Sequence, residues 1–377
     1  MSSSSARLQE VVASLTGIAM TYGLMWVAWR VSKSLAEEFG GGQRVPEACA
    51  RWLSLRYDRL PVLSEHESAL ANCVVSPEAL TCSLDDVGGL EDVVEEIRDL
   101  VVLPLRRPDL FPGSSKLVRA PRGVLLYGEP GTGKSMLARA IAHDAEAALL
   151  NVRASTLSDK YFGESNKLVA AMFSLAQKLA PAIIFLDEID GFLSSRSARD
   201  ADVTLALKAE FLSHLDGLLT DTAEDRRGVV VLAATNRPAD LDPAVLRRLS
   251  RQFRIGLPDQ DARLQILQLL LRSERAEVDL TDLAARTRGY SGSDLEELCR
   301  AAATKPVRDF CRTSNDDDHD DHDEKALRPI NEDDFADALA RVKPTAHQAF
   351  AYRAAAAAPP PPWMTQQQGE HYSPEVD

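Results

Sequence analysis

Residues 123–145 read GVLLYGEPGTGKSMLARAIAHDA, and their reading decides the fold. An apolar run of strand length, GVLLY, enters a glycine-rich turn, GEPGTGKS at 128–135, which opens into a helical pattern. The turn satisfies G-x-x-x-x-G-K-[ST] in the strand-to-helix context its mechanism needs. Its glycines let successive backbone N–H groups face inward as an anion nest, and the helix N-terminus adds positive potential. Glu129, Pro130, Gly131, Thr132, Gly133, Lys134, Ser135 and Met136 are therefore expected to wrap the phosphates of a nucleotide. Lys134 would reach the outer phosphates and Ser135 would offer its hydroxyl to magnesium. A dinucleotide site is excluded, because GTGKSM lacks the third glycine of G-x-G-x-x-G.

Outward from this loop, further strand-length runs occur at 148–152, 182–186, 229–234 and 253–257, and helical patterns separate the first four strands. One such helix carries Leu207, Phe211, Leu212, Leu215 and Leu219 on one face. This alternation predicts an α/β fold, a parallel five-stranded sheet flanked by helices. Upstream, Leu90, Val93, Val94, Ile97 and Val101 fall at helical spacing, and that helix is expected to stop before Pro104. After Pro258 no strand signal remains. Leu264, Leu267, Leu271, Leu295, Leu298, Phe335, Leu339 and Val342 predict a smaller all-helical C-terminal domain.

Two strand ends carry polar chemistry. IIFLDE ends in Asp187, placed to hold the magnesium shell, and Glu188, placed to orient and polarise an attacking water. A helix cap followed by an exposed acid would look the same. Asn236 follows the next strand in AATNRP and lies beside the phosphate loop if those strands are neighbours, although such a residue is often a plain turn amide.

The chain has 377 residues, with Lys plus Arg 43 against Asp plus Glu 57 and a formal net charge of -14. That sign argues against nucleic acid as the main partner. Seven acids fall in 315–324, NDDDHDDHDE, which reads as a solvated loop in which His319 and His322 are simple surface residues. Five cysteines without a C-x-x-C pair give neither a disulfide framework nor a zinc site. No H-E-x-x-H is present, which excludes a zinc protease of that type.

Residues 11–29, VVASLTGIAMTYGLMWVAW, carry no charge and are long enough to cross a bilayer as a helix. Arg30, Lys33 and Arg44 outnumber Arg7 across the span, so the bulk of the chain is expected to face the cytosol. The organisation expected is a transmembrane anchor in 1–34, a linker with a small packed element in 35–84, an α/β nucleotide-binding domain in 85–258, a small helical domain in 259–343, and a tail in 344–377 whose AAAAAPPPP and QQQ runs cannot build a core.

Taken together, DDVGGL at 85–90, GEPGTGKS, IIFLDEID, AATNRP, DPAVLRRL and GYSGSDLEELCR resemble an AAA ATPase module over 81–343. More narrowly, DKYFGESNKLVAAMFSLAQKLAP, IIFLDEIDGFLSSRS and LKAEFLSHLDGLL resemble the mitochondrial sorting-of-proteins AAA translocases, called thorases in animals. The resemblance implies an ATP- and Mg2+-dependent homo-hexamer, single-pass in the mitochondrial outer membrane and in some members at peroxisomes, that extracts mislocalised tail-anchored proteins. It implies that Arg247 and Arg248 are arginine fingers acting on the neighbouring subunit's nucleotide. It also implies that Tyr161, Phe162 and Gly163 form a pore loop gripping extended polypeptide, with a second pore loop in 196–203. Asp86, Val87 and Gly88, with the segment 289–292 that ends in Gly292, would surround adenine. Glu129 stands where the family usually has proline, and Tyr161 replaces the commoner tryptophan. A microtubule-severing or membrane-scission remodeller, and a nucleotide-gated scaffold without turnover, are the alternatives.

Overall fold

The computed structural model describes residues 62–111, 121–157, 164–193, 202–220, 228–314 and 327–345. The expected anchor, both expected pore loops (with Tyr161, Phe162 and Gly163), the acidic run and the tail beyond Thr345 lie outside or largely outside them. No helix among the described residues is long and apolar enough to cross a membrane. The chain divides into two units at Asn72 and Cys73. Of the first, the structure describes a short helix, α1 (Glu65–Leu70), closed at its N-terminus by a capping box between Ser64 and Glu67.

The second unit is built on a six-stranded sheet: β1 (Val74–Val75), β2 (Gly123–Tyr127), β3 (Ala148–Arg153), β4 (Ala182–Asp187), β5 (Val229–Thr235) and β6 (Arg251–Arg254). Their spatial order is β1-β3-β4-β5-β2-β6. The five strands from β3 to β6 are parallel, as the near-continuous apolar runs predict for strands covered on both faces. β1 is an antiparallel edge strand pairing Val74 with Leu150. Two residues are too few to show periodicity, so the sequence gives no sign of it. β6 begins at Arg251 rather than 253, because the charged ends of an edge strand do not read as apolar.

One face of the sheet is covered by α3 (Lys134–Asp144) and by the helical segment that begins with α2 (Glu91–Ile97). Leu126, Leu137, Ile141, Phe185, Leu232, Val94, Ile97 and Val101 share that core. The helix does not stop before Pro104 as expected. A π turn, Arg98–Val102, accepts the Leu103 N–H at the Arg98 carbonyl, and the chain continues through Leu103–Arg106 with Pro104 in its first turn, where no N–H is needed. The other face carries α4 (Glu164–Lys178) and α5 (Asp202–Thr220), where the Phe173 and Phe211 rings meet at 5.7 Å.

Beyond α6 (Pro243–Arg248), a second core forms among α7 (Gln260–Leu270), α8 (Leu280–Arg286), α9 (Gly292–Ser314) and α10 (Glu332–Arg341). Leu267, Leu271, Leu295, Leu298 and Phe335 are buried there, with Leu264, Leu339 and Val342 packed against them. This unit is not purely helical: β7 (Ala276–Glu277) pairs in parallel with β8 (Ile330–Asn331). Again two-residue strands escape pattern reading.

Candidate nucleotide site

The register of the sheet assembles the site. Tyr127 lies opposite Thr235, and Leu186 opposite Ala233, so the residues following β2, β4 and β5 emerge together at the strands' C-terminal ends. A ligand crevice is expected at that edge of a parallel sheet. Asn236 is therefore next to the phosphate loop, because β2 and β5 are neighbours and the Gly128 N–H donates to the Thr235 carbonyl at 3.3 Å.

A cavity of about 480 Å³ opens here, lined by Asp86, Val87, Gly88, Pro130, Gly131, Thr132, Gly133, Lys134, Ser135, Met136, Asp187, Glu188, Asn236 and Gly292. Outside the pore loop and the arginine pair, the sequence singles out fifteen residues by name to bind nucleotide or act on it. Of these, Glu129, which belongs to the loop itself, is not on the cavity wall, and of the segment 289–292 only Gly292 is.

The loop is knitted by its own side chains. Thr132 Oγ1 donates to the Glu129 carbonyl at 2.9 Å, and Lys134 Nζ donates to the Gly128 and Glu129 carbonyls at 3.1 and 2.7 Å. Burial pushes the Lys134 pKa down, while Asp187 and Glu129 nearby oppose that shift. A buried ammonium on a flexible stem, held by neutral carbonyls, is a cation available to an anionic ligand. Gly131 adopts φ +77°, and a Cβ there would stand 2.2 Å from Ser293 Oγ, so only glycine fits the turn against α9.

Ser135 Oγ donates to Asp187 Oδ2 at 2.6 Å, while Asp187 Oδ1 accepts the Glu188 N–H at 3.0 Å. Glu188 itself is exposed and held at φ +54°. A non-glycine residue in the left-handed region is strained, and such strain gathers at functional positions. Asn236 Oδ1 is buried and finds no hydrogen-bond partner among the described residues. An orphaned buried amide oxygen on a residue of the cavity wall calls for a partner that the protein itself does not supply. The hard-oxygen pair Ser135 and Asp187, beside an anion-binding loop, fits magnesium carried on nucleotide phosphates.

Glu129 places an acid at the loop's second position. Its Oε2 is buried without a partner among the described residues, and its other oxygen lies 3.9 Å from Arg254. The two arginines of α6 differ. Arg247 is exposed, whereas Arg248 makes two 2.6 Å hydrogen bonds to the Asp216 carboxylate and one of 2.9 Å to the Ala244 carbonyl. Those contacts hold the Asp216 carboxyl below the usual range.

Sequence reasoning missed part of the wall. Leu90, Ile266, Leu269, Leu270, Ser293 and Glu296 also line the cavity. Of the apolar members on α7, Ile266 and Leu270 also pack against the core that holds Leu267 and Leu271, so they border both core and cavity. A second apolar stripe on one helix was the available signal. At the opposite side Gly89 N–H donates to Gln265 Oε1 at 2.7 Å, fastening the 85–90 segment to α7.

Residues 124–257 match the ATPase family associated with various cellular activities (AAA), and 277–321 match the AAA+ lid domain. The human outer mitochondrial transmembrane helix translocase is 44% identical over 290 residues, 76% of this chain and 78% of that protein. A Caenorhabditis elegans mitochondrial sorting homolog is 39% identical over 295 residues, 78% of this chain and 82% of that protein. Among solved structures, the FIGL-1 AAA domain in complex with ADP matches with TM-score 0.63 and 38% identity, over 78% of this chain and 97% of that one. A katanin self-assembly structure matches with TM-score 0.60 and 33% identity, over 76% and 94%. With its phosphate loop, Ser135–Asp187 pair and helical lid, this chain belongs to the AAA ATPases, in the family of the outer mitochondrial transmembrane helix translocases, and is an ATP-hydrolysing enzyme.

Proposed function

We propose that this chain is a membrane-anchored, hexameric translocase that uses ATP hydrolysis to extract mislocalised tail-anchored proteins through a central pore. The observation that carries the hydrolytic part is the Ser135 Oγ to Asp187 Oδ2 hydrogen bond beside Lys134, with Glu188 projecting from the next position. Lys134 and the loop N–H groups bind the β- and γ-phosphates, and Asp86, Val87, Gly88 and Gly292 take the adenine side. Magnesium held by Ser135 and Asp187 would supply positive charge to the phosphate oxygens. Glu188 accepts the proton of the attacking water, and the Asn236 side-chain amide on the cavity wall orients that water. Arg247, and less directly Arg248, serve the neighbouring subunit's site.

The translocase part is supported by 44% identity to the human translocase over 290 residues, 78% of that protein. The uncharged 11–29 segment supports an anchor in the mitochondrial outer membrane with the ATPase in the cytosol, and a peroxisomal share extends the same reading. The division we adopt is anchor 1–34, linker 35–84, nucleotide-binding domain 85–258, small domain 259–343 and tail 344–377, with no nucleic acid as partner. Tyr161 and Phe162 grip substrate by area and dispersion, which suits an apolar segment of any sequence, and Gly163 permits their turn. Truncating Tyr161 and Phe162 to alanine should leave hydrolysis intact and abolish removal of a tail-anchored reporter from liposomes. Unimpaired extraction by that variant sinks the pore reading.

A further inference from the structure

The serine hydroxyls beside the phosphate loop are tied into a hydrogen-bond network. Gly131 sits against Ser291 and Ser293, and its carbonyl accepts the Ser293 N–H at 3.0 Å. Ser291, fully buried, caps α9: Asp294 N–H donates to its hydroxyl at 3.3 Å, and Asp294 Oδ2 accepts its N–H at 2.9 Å and its hydroxyl at 2.8 Å. Asp294 is 5% exposed. It finds its remaining donors in Thr345, whose N–H reaches Oδ2 at 3.1 Å and whose hydroxyl reaches Oδ1. Three residues before Thr345, the Val342 carbonyl accepts the Tyr290 hydroxyl at 2.7 Å. Burial pushes the Asp294 carboxyl up, but the bonds from Thr345 and Ser291 outweigh it and hold the group below the usual range. The carboxylate is thus an ionised buried acceptor whose four donor contacts are divided evenly between the start of α9 and a strap some fifty residues later.

We propose that Thr345 and Asp294 are positioning residues for ATP: the strap from Val342 to Thr345 orders the α9 N-terminus, and through Ser291 and Ser293 fixes the phosphate loop at Gly131 in its binding shape. This rests on the nucleotide-site reading above. The reasoning is that an ionised, buried acceptor that loses one of its donors must find another, and the donors within reach are those that now set the loop's wall. The strap therefore acts on nucleotide affinity more than on the chemical step, since neither residue lines the nucleotide cavity.

The test uses the full chain, a fluorescent ATP analogue and three variants. Thr345→Val deletes the hydroxyl and keeps the backbone N–H, and should weaken analogue binding about fivefold while kcat changes less than about twofold. Thr345→Ser restores the donor and should bind within about twofold of the parent. Lys134→Ala tests the underlying site and should lose binding. If Lys134→Ala binds normally, the nucleotide reading itself fails. If Lys134→Ala loses binding while Thr345→Val keeps the parent's affinity, the strap alone is overturned. A lower melting temperature for Thr345→Val without a change in affinity also overturns it, because that is what mere structural support would produce.

Discussion

Replacing Glu188 by glycine should make the protein more stable and stop its hydrolysis at once. Glu188 is exposed and adopts φ +54°, so its side chain contributes little packing while its Cβ strains the backbone. The left-handed conformation costs a non-glycine residue about 1–2 kcal/mol. Glycine removes that cost and returns about 0.5–1 kcal/mol through the greater freedom of its unfolded chain. Both backbone bonds survive the change: Glu188 N–H to Asp187 Oδ1 at 3.0 Å, and Gly191 N–H to the Glu188 carbonyl at 3.0 Å. The balance is about 0.5–1 kcal/mol of added stability, or about 2 °C in melting temperature for a domain of this size. Glu188→Gln keeps the Cβ, so its melting temperature should stay at the parent value. Both variants lose the proton acceptor, and phosphate release should fall ~10²- to 10⁴-fold. Thermal melting and phosphate release on the pair separate the two claims. A glycine variant that melts below the glutamine variant refutes the strain argument. Near-normal release from either removes Glu188 from the mechanism.

The two arginines of α6 should behave differently. Arg248→Ala breaks the partly exposed pair with Asp216 and should cost about 1 kcal/mol of stability in the chain itself, seen as an earlier melt. Arg247→Ala should leave melting alone and depress wild-type neighbours in mixed rings, and activity that falls only in proportion to the mutant fraction would count against a finger there. Glu129→Gln removes a negative charge that acts on Lys134 and should tighten ATP binding about threefold by titration, consistent with roughly 0.5–1 kcal/mol of Coulomb repulsion in a well-screened site. Weaker binding would show that the acid helps shape the loop.

What the sequence discloses and what it withholds follow one physical rule. A position is legible when a local pattern and its chemistry coincide. Lys134, Ser135, Asp187 and Glu188 stand at strand ends within a few residues of strong apolar runs, so period and residue type together place them. Asn236 needed one further fact, that β2 and β5 are neighbours, and pairing of Tyr127 with Thr235 supplied it. Val74–Val75, Ala276–Glu277 and Ile330–Asn331 are stabilised only by partners distant in sequence, and two residues have no period to read. Pro104 is a clearer case, since the rule that proline ends a helix assumes an α turn before it. The π turn at Arg98–Val102 satisfies the Leu103 N–H one residue further back and lets the helix pass. Ile266, Leu269 and Leu270 line the cavity on the helix that Gln265 fastens to the 85–90 segment, a contact between residues far apart in sequence that no local pattern announces. Arg248 shows the same limit from the other side: its motif resemblance suggests a group aimed at a neighbour, while its Asp216 partner lies thirty-two positions earlier on α5. A family motif fixes which residue is present, and the contacts made by the rest of the fold determine what that residue is able to reach.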